Sequence, residues 1–128
     1  MKSYKKIRNC LEDFIVSYKL YSKEEGGREI TYQHLRCDFL YEEDDFTKNK
    51  IYMIHPEFID KNGKPFNKET PIPLLGNASM WILNSEIREK IHKFRIKVGV
   101  KGYFMEGKRK IGEVIVKKIV SLNQEKIG

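Results

Sequence analysis

The residues that could ligate a metal or act as nucleophiles lie far apart in the chain. His34, His55 and His92 occur in three separate segments, and none belongs to an i, i+4 pair of the kind that binds zinc on a helix. Cys10 and Cys37 lack C-x-x-C spacing, which favours reduced thiols with a structural role. Because no signature of a catalytic site surrounds these residues, the sequence predicts a protein that is not an enzyme and uses no metal or cofactor.

Two polar segments could still bind ions or phosphates. Glu42, Glu43, Asp44 and Asp45 are four consecutive carboxylates, but they lack the D-x-[DN]-x-[DN]-G spacing that wraps a chain around calcium. A solvated loop is predicted for them. The glycine pair at residues 26–27 belongs to neither G-x-x-x-x-G-K-[ST] nor G-x-G-x-x-G. It therefore indicates a turn, and no nucleotide binding is expected.

Length and composition indicate one globular domain over residues 1–128. The chain is 40% hydrophobic and 12% aromatic, and it contains no run of about 18 apolar residues that could span a membrane. No apolar segment follows the basic start, so a secretory signal is not expected and a cytoplasmic location is predicted. The formal net charge of +7 suits a polyanionic partner. The chain has 18 acidic residues beside its 25 basic ones, however, and this mixture also fits an ordinary solvated surface.

The strongest structural signal is the C-terminal run, residues 94–120. Its first half alternates between apolar and basic side chains, which is typical of a half-buried strand. The apolar side chains are Phe94, Ile96, Val98, Val100 and Phe104, and the basic ones are Arg95, Lys97 and Lys101. The polar residues 106–109 include Gly107 and predict a hairpin turn. Residues 110–120 then return as a strand that is apolar on both faces, which predicts a central position in the sheet.

The rest of the chain adds short strands, turns and small helices. We predict a strand over residues 14–21, an extended segment over 30–41, and an edge segment over 51–59 that contains Pro56. A long loop over residues 60–73 and a strand over 78–83 follow, and Trp81 is predicted in the core or at the rim of the barrel. Asn84 or Ser85 should begin a short helix. Residues 1–12 are predicted to form a short helix or, alternatively, a frayed lead-in to the first strand, and a fraying tail over 121–128 completes the prediction.

Three segments carry motifs of a known family. Residues 11–32, LEDFIVSYKLYSKEEGGREITY, read as a strand that runs into K-E-E-G-G-R, and residues 38–45, DFLYEEDD, read as an aromatic-rich strand. Residues 97–120, KVGVKGYFMEGKRKIGEVIVKKIV, read as a closing hairpin. In this order they resemble the C-terminal barrel domain of translation elongation factor Tu. The resemblance is weakest over residues 46–77, and residues 86–93 look like an insertion.

The resemblance implies an all-β fold, a six-stranded antiparallel β-barrel with short helical additions. In the family this barrel contacts the T-arm of aminoacyl-tRNA, the GTPase domain and the exchange factor, and the GTPase domain has no counterpart here. By position, Glu106 and Gly107 would form the turn that faces tRNA. At the second contact the family has arginine and threonines where this chain has carboxylates at 42–44. These carboxylates would repel phosphates.

Two functions follow from these observations. The first is a non-catalytic binding module that recognises a protein partner. The alternative is tRNA binding through a basic face, in which lysines and arginines would neutralise phosphates in a row. The candidate RNA-binding residues are Arg95, Lys97, Lys101, Glu106, Gly107, Lys108, Arg109 and Lys110.

Overall fold

The computed structural model describes residues 11–45 and 51–124. The predicted N-terminal helix and Cys10 lie outside the described residues, except for residues 11 and 12, which are not helical. The last four residues of the predicted tail also lie outside them.

Six antiparallel strands form one strongly curled sheet, as predicted. They are β1 (Phe14–Leu20), β2 (Asp38–Tyr41), β3 (Ile54–Ile59), β4 (Leu75–Ile82), β5 (Lys101–Glu106) and β6 (Arg109–Ile119). Their order across the sheet is β2-β5-β6-β1-β4-β3. The two edges meet at one bridge, where the Phe39 and Tyr52 backbones exchange hydrogen bonds of 2.8 and 2.9 Å. The result is a half-barrel with its core on the concave side.

The alternating pattern of β1 builds the centre of the core. Phe14, Val16, Tyr18 and Leu20 all point inward and are buried, as the period of two predicts. The Tyr18 ring meets Phe58 edge-on, with 5.1 Å between ring centroids, an arrangement that aromatic pairs favour. Of the two positions predicted for Trp81, the structure shows the core position, and Pro56 lies in an edge strand as expected.

The β5–β6 hairpin is also confirmed, and it places β6 in the interior of the sheet between β5 and β1. A bulge interrupts its pairing with β1, because Ile15 pairs with Lys118 whereas Val16 pairs with Val116. Lys117 is the extra residue. A bulge of this kind lets two consecutive side chains point to the same side of a sheet, and both lysines are exposed.

A short helix, α1, spans residues 85–95. Asn84 caps it through a 3.0 Å hydrogen bond from Ile87 N to its side chain, which confirms the predicted start. Two helical turns, Ser85–Ile87 and Lys93–Arg95, flank a π-helical segment, Arg88–His92.

The prediction that a strand begins at Phe94 is wrong. Residues 93–95 are the last turn of α1, and β5 begins only at Lys101. The buried residues here are Arg88, His92 and Ile96, which are spaced by four as on one face of a helix. Phe94 and Val98 consequently point to solvent, with 71% and 66% of their surface exposed.

Arg88 connects α1 to the segment that precedes β1 and to the segment that follows β6. Its Nε donates to Asp13 Oδ1 at 2.8 Å, and its Nη2 donates to the carbonyl oxygens of Ser121 and Gln124 at 2.6 and 2.9 Å. The other Asp13 oxygen accepts from Ile82 N at 2.8 Å. Both side chains of the ion pair are almost fully buried. Ser121 is buried as well, so the predicted fraying does not begin at this residue.

The extended segment predicted over residues 30–41 is regular only in β2, from Asp38 onward. In the irregular part before β2, the Gln33 side chain makes the backbone hydrogen bonds that a neighbouring strand would otherwise make. Its amide accepts from Phe58 N and donates to Phe58 O, both at 2.7 Å, and it also reaches Phe66 O at 3.0 Å. One side chain therefore satisfies backbone groups of the edge strand β3.

Candidate functional site

The eight candidate RNA-binding residues divide between the two ends of β5 instead of forming one row. Arg95, Lys97 and Lys101 lie at or before its start, and residues 106–110 lie at its end. A six-residue strand is about 17 Å long, so the two groups are separate surfaces. The predicted strand that would have aligned them does not exist before Lys101.

The hairpin end is built by a two-residue turn. Glu106 pairs with Arg109, and Gly107 takes the first turn position with φ of 61°. Lys108, the second turn residue, has no positive φ. A glycine at the first position is what a type II′ hairpin requires. This turn leaves Lys108 exposed at the tip and brings Glu106 beside Arg109.

Glu106 is held between two arginines. It accepts a hydrogen bond from Arg109 at 2.5 Å and another from Arg28. Partial burial acts to raise the pKa of Glu106, but the hydrogen bonds from Arg109 and Arg28 outweigh it, so the pKa lies below its usual value. The carboxylate is thus committed to a bridge that joins the hairpin to the loop after β1.

Two basic residues at this end were missed from the sequence. Lys23 and Arg28 flank the predicted Gly26-Gly27 turn, where Lys23–Glu25 forms a short 3-10 helix and Gly26 takes a φ of 98°. With Arg109 they line an open cavity of about 460 Å³. The K-E-E-G-G-R motif was the available signal, but nothing in its spacing showed that it meets the hairpin. Lys110 on β6 lies 4.0 Å from the centre of the Tyr103 ring on β5, so the two side chains form a cation–π contact across the hairpin.

At the other end of β5, Arg95 is a structural residue. Both terminal nitrogens donate to the Asp44 carboxylate at 3.0 Å, and the guanidinium lies 3.7 Å from the centre of the Tyr41 ring. The hydrogen bond to Asp44 raises the pKa of Arg95 above its usual value. The predicted solvated loop over 42–45 is therefore wrong for Asp44, which is half-buried, whereas Glu42 and Glu43 are exposed. Lys97 and Lys101 remain exposed.

Beneath Arg95, a buried aromatic cluster fixes the position of α1. The Tyr41 hydroxyl lies 2.6 Å from His92 Nδ1, and the Tyr52 ring meets the imidazole edge-on at 4.6 Å. Burial, together with the nearby Arg95 charge, lowers the pKa of His92 to about 4. Burial raises the pKa of Tyr41. At neutral pH both groups are uncharged, which suits a packing role.

The described residues contain no cluster of three or more histidines, cysteines or carboxylates that could hold a metal ion. Cys37 is buried, and desolvation raises the pKa of its thiol, so it is a core residue as predicted and a poor nucleophile. Within residues 11–45 and 51–124, no helix is both long and apolar enough to cross a bilayer.

Comparison with known proteins adds no relative: no protein-family model and no curated protein sequence matches the chain.

Proposed function

We propose that this chain is a non-catalytic binding module that recognises a protein partner through the exposed end of α1. The observation that carries this proposal is the exposure of Phe94 and Val98, which are four residues apart and point away from the core. Exposed single apolar residues are common, but an aromatic residue in the last turn of a helix and an aliphatic residue in the turn that follows offer a partner two apolar anchors.

The surface around Phe94 is held rigidly, which lowers the entropy lost on binding. The preceding turns are anchored by Arg88 and by the His92 contact with Tyr41, and the Arg95 side chain is clamped by Asp44. After the helix, Gly99 N donates to Val116 O at 2.8 Å, so the turn that carries Val98 is fixed against β6. The motif resemblance to the elongation factor barrel supports a partner within the translation machinery.

We expect the double substitution Phe94→Ser/Val98→Ser to abolish recovery of the partner without destabilising the fold, because neither side chain is packed in the core. The measurement is affinity capture from native lysate at moderate salt, with quantitative mass spectrometry. Ile115→Ser, an exposed apolar position on β6 at 40% exposure, is the matched control and should recover the partner normally. Equal recovery by both variants and the parent would contradict the proposal.

A second candidate, tRNA binding, is supported by the hairpin end of β5. Lys23 and Arg28 join Lys108, Arg109 and Lys110 there, so the basic group is larger than the sequence indicated. Two of these five residues, Arg28 and Arg109, already form ion pairs with Glu106, which leaves fewer charges for phosphates. The other predicted group loses Arg95 to Asp44.

For this second function we expect Lys23→Glu/Lys108→Glu to weaken tRNA binding by about tenfold at low salt, since two phosphate contacts become repulsive. Filter binding or anisotropy at several salt concentrations measures the effect. The matched charge reversal Lys61→Glu/Lys90→Glu, at two exposed positions away from the hairpin, should change the affinity much less. An affinity that is independent of salt, or equal losses in both variants, would remove this candidate.

A further inference from the structure

A groove begins on the outer wall of the sheet, where β3, β4, β1 and β6 lie side by side, and ends where the Tyr18 hydroxyl meets Pro73. Two open cavities of about 310 and 330 Å³ meet there, and they share Ile59, Asp60, Lys61 and Asn77. The strand register explains the alignment: Asn77 pairs with Ser17 on one side and with Ile59 on the other. The groove shares no residue with the exposed end of α1 or with the hairpin cavity.

The groove has an apolar lining. Ile15 and Ile59 lie along it, and its far end is formed by Phe66, Pro73 and Leu75. Leu75 is 69% exposed although it begins a strand. Leu75 therefore offers apolar surface that a partner could bury.

The rim of the groove is basic because of the bulge in β6. The extra residue in the strand lets Lys117 and Lys118 point outward together, and Lys61 lies across the groove from them. None of these three lysines forms an ion pair within the described part of the chain. Among the described residues that line the groove, Asp60 is the one carboxylate, and its Oδ1 accepts hydrogen bonds from Asn62 N at 2.8 Å and Lys64 N at 3.0 Å.

We propose that this groove binds an extended acidic segment of a partner protein. Carboxylates of the segment meet Lys61, Lys117 and Lys118, and an aliphatic side chain packs against Leu75. In an extended peptide, side chains two residues apart lie about 7 Å apart on one face, so acidic and apolar residues can be offered to the rim and the floor in turn. The inference goes beyond the proposed function, because it assigns a different surface and a defined partner chemistry.

The lining favours a peptide over a single-stranded nucleic acid. Proteins that bind single strands without sequence preference offer exposed aromatic rings on which bases stack. The aromatic residues of this groove are unsuited to that role: Tyr18 is buried with its hydroxyl bound to Pro73 O at 3.0 Å, and Phe66 is half-buried. The accessible apolar surface of the groove comes from the exposed Leu75 and the half-buried Ile15.

The test is fluorescence anisotropy with a labelled, capped peptide in which glutamate and leucine alternate at every second position and single serines separate them, so that both types lie on one face of the extended chain. We expect Lys117→Glu/Lys118→Glu to raise the dissociation constant at least about tenfold, and Leu75→Ser to raise it about fivefold. The control Lys23→Glu/Lys108→Glu carries the same change in net charge but lies at the hairpin, and it should change the constant less than about threefold. A peptide with glutamine in place of glutamate should show no saturable binding.

Four outcomes would overturn the inference. They are equal weakening by the groove pair and the control pair, equal binding of the glutamine peptide, no saturable binding of the acidic peptide, and tighter binding of a single-stranded RNA of matched charge that depends on Lys117 and Lys118. Melting curves of every variant show whether the fold is intact. Should the charge reversal unfold the chain, Lys117→Gln/Lys118→Gln replaces it, with an expected loss of about fivefold.

Discussion

Replacing Arg88 with methionine should lower the free energy of unfolding by about 3–5 kcal/mol, the largest effect expected for a single polar residue in this fold. The substitution keeps the apolar stem but removes the guanidinium from Asp13 and from the two carbonyl oxygens of Ser121 and Gln124. A buried carboxylate that loses its ion-pair partner is far more costly than a lost surface pair. Urea unfolding at pH 7 followed by tryptophan fluorescence measures the change.

Lys90→Met is the matched control, because Lys90 lies two residues further along α1 and forms an exposed pair with Glu86 at 2.7 Å. Its loss should cost no more than about 0.5 kcal/mol. In the Arg88→Met background, Asp13→Asn should recover part of the stability, since it removes the carboxylate charge and keeps an acceptor for Ile82 N. Similar small losses for Arg88→Met and Lys90→Met would show that the buried pair is not what anchors the helix.

The stability of the fold should fall between pH 7 and pH 5 by about 2 kcal/mol through His92 alone. In the unfolded chain this imidazole has its ordinary pKa of 6.5, whereas in the folded chain its pKa is about 4. Between these values the unfolded state binds more protons than the folded state. Stability therefore decreases as the pH drops through this window, and the whole contribution is lost below pH 4.

His92→Gln isolates this effect, because every other titrating group stays the same. We expect the variant to be less stable than the parent at pH 7, where it loses the packed imidazole, and the gap to narrow by about 2 kcal/mol at pH 5. The measurement is urea unfolding of both proteins at the two pH values. A gap of the same size at both pH values would mean that His92 titrates normally in the folded state.

The architecture could be predicted where local pattern and tertiary environment agree. The alternation of β1, the glycine of the hairpin at Gly107 and the cap at Asn84 each have one physical explanation, and all three were confirmed. The run from Phe94 to Val100 has two possible explanations, because its apolar residues fit a strand and also fit the end of a helix. The helix is the correct interpretation only if Arg88 and His92 are buried. Burial of these polar side chains is unfavourable unless they have partners, and the sequence does not show that Asp13 and Tyr41 are those partners.

The candidate site was harder to predict than the fold. Basic residues can be read from a sequence, but their partners cannot when these are distant in the chain. Asp44 is 51 residues from Arg95, and Glu106 is 78 residues from Arg28. The first pair removes Arg95 from the surface that the sequence predicted, and the second engages Glu106, another residue of that predicted surface. The bulge at Lys117 is equally invisible in the sequence, because the pattern V-I-V-K-K-I reads as an ordinary strand end.

The position of Arg88 also determines how the fold responds to mechanical load. β1 begins at Phe14, where its neighbour β6 ends at Ile119, so a pull on the two flanking segments separates these strands from one end. Their hydrogen bonds would then break one after another instead of all at once. Arg88 spans this entry point, with Asp13 on one side and the carbonyl oxygens of Ser121 and Gln124 on the other. The load reaches this end first, where the guanidinium acts together with the hydrogen bonds between residues 11–13 and 120–122. The rate of forced unfolding then depends on how quickly this group of bonds breaks.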